Sequence, residues 1–152
     1  MDAVIVLFVV FCVIGIVLRV GVIGFSGKEA PLDRYQIRFS VSDIAATSEK
    51  AMVAGDTLRL VRQGQVLGTL IGLESVSSAK VYVEKYNGEI ALAEYPAGTR
   101  IDVVGVILAE GTAEEKGFLL GGTFLLSPGV EYQVQSEHMD LVLKILDIQK
   151  MQ

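Results

Sequence analysis

Lys80-Val-Tyr-Val-Glu-Lys-Tyr-Asn-Gly-Glu-Ile-Ala-Leu-Ala93 sets an Asn-Gly pair between two β-prone runs. A tight hairpin turn that matches the twist of its strands needs positive φ at its central residues, and Asn-Gly supplies that at least cost. Asn87-Gly88 is the strongest short hairpin signal in the chain, and it predicts strands over Lys80–Tyr86 and Glu89–Ala93. The same period-two grammar continues on both sides. Upstream, Tyr35-Gln-Ile-Arg-Phe-Ser-Val41 alternates apolar and polar residues, the mark of a strand with one buried face. Thr57–Val61 and Val66–Leu73 are β-prone runs joined by the loop Arg62–Gln65. Downstream, strands are predicted over Arg100–Ala109, Phe118–Leu126, Glu131–Gln135 and Met139–Ile148. Only Ile44–Val53 suits a helix, and it is short. About eight to ten short strands without long helices predict a mainly β fold, a small barrel or sandwich.

A turn pattern recurs through this region. Ala54-Gly-Asp-Thr-Leu-Arg-Leu60, Ala97-Gly-Thr-Arg-Ile-Asp-Val103 and Pro128-Gly-Val-Glu-Tyr-Gln-Val134 each place a Gly just ahead of alternating apolar residues. Gly55, Gly98 and Gly129 are therefore structural turn residues, chosen for positive φ. Asp56 is expected to accept a hydrogen bond from a backbone N–H in its turn. Tyr35 and Tyr132 fall in step with apolar positions and read as core.

The other end of the chain has a different character. Ala3–Leu18 carries no charge, and apolar residues resume after Arg19 as far as Phe25. A membrane-crossing helix needs about 20 apolar residues, and Arg19 can reach the headgroups along its own stem. Residues 1–25 thus read as a single-pass signal anchor holding the protein in the bilayer through Ala3–Phe25, with Cys12 as a small hydrophobe inside it. A cleaved signal peptide fits less well, since Met1-Asp2 provides no basic leader. Residues 26–33 form a polar linker, and residues 34–152 the β domain.

Charge and composition exclude several functions. The 152 residues carry 13 Lys and Arg against 18 Asp and Glu, so no basic face for nucleic acid is available. One Cys and one His leave no disulfide framework, cysteine zinc site or multi-histidine metal site, and no cofactor is indicated. His138 reads as a solvated loop residue, and no strained nucleophile turn accompanies any Ser. Ser48 and Lys50 read as a solvated turn, and Glu84, Glu89, Glu114 and Glu115 as exposed charge. Gly121-Gly122 lacks the strand–turn–helix setting of a nucleotide fingerprint and reads as a bend in the sheet. The expectation is a protein without catalytic, cofactor or metal residues. Interaction surfaces are marked only by Tyr82 and Tyr86, which share one strand face, and by Phe118-Leu-Leu120, which could form an apolar loop.

Several of these segments together resemble one family. The opening Met1-Asp-Ala-Val-Ile5, Tyr35-Gln-Ile-Arg-Phe39, Val53-Ala-Gly-Asp56, Leu67-Gly-Thr-Leu70 and Pro128-Gly-Val-Glu-Tyr-Gln-Val134 are similar to the domain-of-unknown-function 4330 family. That resemblance implies a bacterial protein with one membrane helix and a compact β domain, and it carries over no catalytic residue. Its members usually have a basic leader, which this chain lacks. The expected role is a non-catalytic accessory or structural protein of the cell envelope, with an envelope protein or further copies of itself as partner. A lipid- or ligand-handling β-barrel module is the alternative. Arg19, Lys28, Arg34 and Arg38 all follow the span, which favours a cytoplasmic domain by the positive-inside rule. Long domains cross largely regardless of charge, and with the resemblance this makes an extracytoplasmic domain the expectation.

Overall fold

The computed structural model describes residues 32–115 and 117–151. The expected membrane helix over residues 1–25 and most of the linker lie outside the described residues. Among the described residues, no helix is long and apolar enough to cross a membrane.

The domain is mainly β, with strands β1 (Asp33–Ala45), β2 (Thr57–Leu60), β3 (Val66–Ser78), β4 (Lys80–Glu84) and β5 (Ile90–Glu94). They are followed by β6 (Arg100–Glu114), β7 (Gly117–Leu120), β8 (Phe124–Leu126), β9 (Glu131–Gln135) and β10 (Asp140–Lys150). Eight of them form one antiparallel sheet in the order β1-β10-β9-β2-β3-β6-β7-β8, rather than the two packed sheets of a sandwich. β1 also pairs with β6, so the ladder β1-β10-β9-β2-β3-β6 returns to its first strand. β4 and β5 form a separate two-stranded sheet.

Alternation decides what lies inside. Tyr35, Ile37, Phe39 and Val41 of β1 are buried, and the intervening Arg34, Gln36 and Arg38 are not. β6 repeats the pattern with Ile101, Val103, Ile107 and Ala109, while Gly105 lies directly opposite Phe39. Leu58, Leu60, Leu67, Leu70, Leu120, Leu126, Val134, Leu143 and Ile145 complete one contiguous core. Side chains this well enclosed each contribute roughly 1.5–3 kcal/mol of burial.

The strand boundaries depart from the sequence-based expectation in several places. Ile44 and Ala45 belong to β1, paired with Ile101 and Arg100, so the expected helix is reduced to a 3-10 segment over Ala46–Ala51. β1 runs past Val41 because Asp43 takes φ of 56° at a register shift and carries the chain around it. The expected strand Phe118–Leu126 is two strands, because Gly121 and Gly122 at φ 56° and 71° close a hairpin between them. β6 runs five residues past the expected Ala109 and ends at Glu114, which is exposed.

Candidate functional site: the β4–β5 hairpin and the Asp56–His138 cluster

The hairpin grows out of the β3–β6 ladder. That ladder ends with Ser78 opposite Ile101, and the β4–β5 ladder begins with Lys80 opposite Glu94. Ala79, fully buried, sits at the junction, where its N–H donates to Arg100 O and its carbonyl accepts from Tyr95 N–H. Pro96–Thr99 loops out beside it, with Thr99 Oγ1 donating to Pro96 O at 2.6 Å. Arg100 braces the base: it pairs with the Asp43 side chain and carbonyl and lies 5.9 Å from the centre of the Tyr95 ring. The hydrogen bond to Asp43 holds the guanidinium pKa above its ordinary value. Since β6 starts opposite the end of β1, the hairpin leaves the sheet at the end away from Asp33, where the chain enters the domain.

The register fixes the two faces of the hairpin. Tyr82 lies opposite Leu92 and Glu84 opposite Ile90, so Lys80, Tyr82, Glu84, Ile90, Leu92 and Glu94 share one face. That face is open, with Tyr82, Ile90 and Leu92 at 76%, 70% and 54% exposure. Val81, Ala91 and Ala93 on the other face are half-buried. Tyr86, expected on the strand with Tyr82, sits fully exposed in the turn instead. Lys80 lies 4.0 Å from Glu94, and Lys85 3.2 Å from Glu89. Among the described residues Glu84 has no ion-pair partner. A two-stranded sheet is marginal in water by itself, so a hairpin that exposes three large apolar side chains on one face is short of a covering surface.

The other surface expected from sequence is internal. Phe118 and Leu120 are buried, the Phe118 ring packing tilted against Tyr35 at 4.6 Å between ring centres, and only Leu119 between them is half-exposed. Alternation turns two of these residues inward, so Phe118-Leu-Leu120 is a core strand and not an apolar loop.

Gly55, Gly98 and Gly129 take φ of 97°, 78° and 83° in turns ahead of β2, β6 and β9. Asp56 differs from its expected role. No backbone N–H donates to its carboxylate among the described residues. Ser136 Oγ donates to Asp56 Oδ2 at 3.1 Å, and His138 Nδ1 lies 2.8 Å from the same oxygen. His138 is exposed in its loop, as expected, but its ring is held against the Asp56 carboxylate and forms an ion pair with it when protonated. The His138 backbone N–H also donates to Ser136 Oγ at 3.1 Å. The Asp56 side chain is 12% exposed and that of His138 49%. The Asp56 hydrogen bond, then its charge, raise the His138 pKa above the ordinary 6.5.

A relay for nucleophilic attack would need Ser136 Oγ against an imidazole nitrogen. Here serine and histidine both address one carboxylate oxygen, an arrangement that locks the β9–β10 turn onto the Gly55-Asp56 turn. A groove of about 450 Å³ beside it is lined by Thr57, Arg59, Gln135 and Glu137 among others. Sequence reasoning missed the pair because the two residues stand 82 positions apart. The β2–β9 register joins them: three residues beyond Arg59 opposite Gln135, it brings Asp56 to His138.

No family model, curated protein or solved structure matches this chain.

Proposed function

We propose that this protein is a non-catalytic, membrane-tethered interaction module of the bacterial cell envelope, and that the β4–β5 hairpin makes its contacts. The tether is the apolar segment Ala3–Phe25 and the domain is extracytoplasmic, in keeping with the likeness to the domain-of-unknown-function 4330 family. One observation carries the reading: the open Tyr82, Ile90 and Leu92 face on a hairpin that stands at the end of the domain away from chain entry. The closed six-strand circuit is read as a small barrel that serves as a rigid mount. A lipid- or ligand-enclosing barrel finds less support, since Ile37, Phe39, Leu58, Leu70 and Ile107 fill the interior.

The test is site-specific photocrosslinking in intact membranes. A crosslinker at Tyr82 should give a discrete product, whereas one at Leu125, 45% exposed on β8, should not. Absence of a product at Tyr82, or equal products at both positions, would overturn the reading.

A further inference from the structure

The hairpin has two free edges, and the main-chain hydrogen bonds say which groups face them. Lys85 N–H donates to Glu89 O at 2.8 Å, and Tyr95 N–H to Ala79 O at 2.9 Å. In an antiparallel ladder hydrogen-bonded pairs alternate with non-bonded ones. Between those two fixed points, Val81 with Ala93 and Val83 with Ala91 must bond within the hairpin. Lys80, Tyr82 and Glu84 then turn their N–H and C=O groups outward from β4, unpaired among the described residues. Their side chains also lie on the exposed face.

An edge of this kind normally carries a defence: a proline, a bulge, or a charge that repels an incoming strand. β4 has no proline, and the β4–β5 ladder has no register shift. Its charges, Lys80 and Glu84, deter an apolar strand but attract a strand with the complementary pattern. Pairing β4 with a second β4 antiparallel, about an axis through Tyr82, sets Lys80 of each copy opposite Glu84 of the other. Tyr82 meets its own counterpart, and Val81 meets Val83. The outward backbone groups fall in phase, so each of the Lys80–Glu84 and Tyr82–Tyr82 pairs exchanges N–H···O bonds in both directions. The other edge has no such complementarity: centring β5 on Leu92 sets Ile90 against Glu94.

We propose that two copies of this chain join edge to edge through β4, in the register centred on Tyr82, to form a four-stranded sheet β5-β4-β4-β5. The proposal rests on the reading of the hairpin as the contact element and names its partner as a second copy. Joining gives Glu84 the counter-ion it lacks among the described residues of its own domain. It also brings the sheet above the two-strand size that is marginal in water.

The experiment is the mass of the full chain in detergent by sedimentation equilibrium, for the wild type, Lys80→Glu, Glu84→Lys and the double reversal. The wild type should be a dimer. Each single reversal turns both symmetry-related attractive pairs into repulsive ones and should weaken the dimer roughly tenfold. The double reversal restores opposite charges across the axis and should recover most of the loss. Circular dichroism of every variant reports retention of the fold. In a Cys12→Ser background, Tyr82→Cys should form an intermolecular disulfide on oxidation, and Leu125→Cys should not. This second readout leaves the Lys80–Glu94 pair intact.

A monomeric wild type with no Tyr82→Cys disulfide overturns self-pairing. A dimer indifferent to the single reversals overturns the register. If the chain is monomeric while the Tyr82 photocrosslinker captures one other protein, self-pairing fails and the hairpin reading stands. If Tyr82 captures nothing, both fail.

Discussion

Gly105→Ala should destabilise the domain strongly for a one-carbon change. Gly105 lies opposite Phe39 in the β1–β6 ladder, the pairing that closes the strand circuit. A Cβ there would sit 2.7 Å from Phe39 Cζ, 2.9 Å from Phe39 Cε1 and 2.9 Å from the Gly72 carbonyl oxygen. Carbon atoms pack best at about 3.5–4.0 Å, so ring or strand must retreat by roughly 1 Å. Phe39 is 2% exposed and has no free space to enter, which places the substitution among overpacked cores at about 1–3 kcal/mol. For a domain of this size that lowers Tm by about 4–12 °C. Gly72→Ala is the control: nothing lies within 4 Å of its added Cβ, and its cost should stay within about 0.5 kcal/mol. Phe39→Leu removes the two ring atoms but not the Gly72 carbonyl, so in the double variant the two costs should fall short of adding by ~0.5–3 kcal/mol. Urea unfolding of the wild type, the singles and the double measures all of this. If Gly105→Ala costs no more than Gly72→Ala, or the costs simply add, Phe39 does not occupy the space over Gly105.

Three further outcomes are expected. A chain starting at Pro31 should be soluble, show β-type circular dichroism and unfold cooperatively, because the whole buried cluster lies within Tyr35–Ile145; an aggregated product would refute it. The Asp56–His138 pair should make stability depend on pH. Because folding raises the His138 pKa above 6.5, its stabilisation is complete below that pH and is lost as pH rises through the folded value. His138→Ala should flatten the unfolding midpoint across this window, and an unchanged slope would remove the pair from the account. For orientation, Glu137→Cys is the suitable label site, since Glu137 is exposed whereas Ser136 is half-buried and bonded to Asp56. A membrane-impermeant maleimide should modify it on intact cells, and modification only after lysis would place the domain in the cytoplasm.

What was legible in the sequence was what short-range chemistry determines. Asn87-Gly88 marked the β4–β5 hairpin, and period-two alternation in Tyr35–Val41 picked out four residues that are all buried. The hairpin register was not legible: a two-residue turn would set Tyr86 opposite Glu89, but Asn87 keeps negative φ, the turn spans Tyr86–Gly88, and Lys85 pairs with Glu89. The three turn glycines could be found because positive φ has few other solutions. What failed depended on distant partners. Nothing local says that β9 inserts between β10 and β2, so Asp56 could not be matched with His138. Ile44 and Ala45 have fair helical propensity, but their pairing with β6 overrides it. Phe118-Leu-Leu120 and Tyr82 both read as surface in the sequence. Only the position of β7 beside β6, over the core, separates the buried phenylalanine from the exposed tyrosine.

That last distinction bears on why a hairpin so clear in sequence is also the most exposed element. A strand in the closed circuit has both edges bonded, so its side chains answer to neighbours that only the fold supplies. β4 and β5 have only each other, and their pattern is therefore set by the turn and by whatever meets them outside. Were β4 merely a solvated extension, a polar residue at position 82 would serve it better than tyrosine. Charges of one sign at positions 80 and 84 would also protect its edge. Lys80, Tyr82 and Glu84 have the opposite logic: an apolar centre flanked by charges that attract their own image. That arrangement is what the proposed pairing with a second copy requires, and a dimer weakened by either charge reversal is the result that would support it.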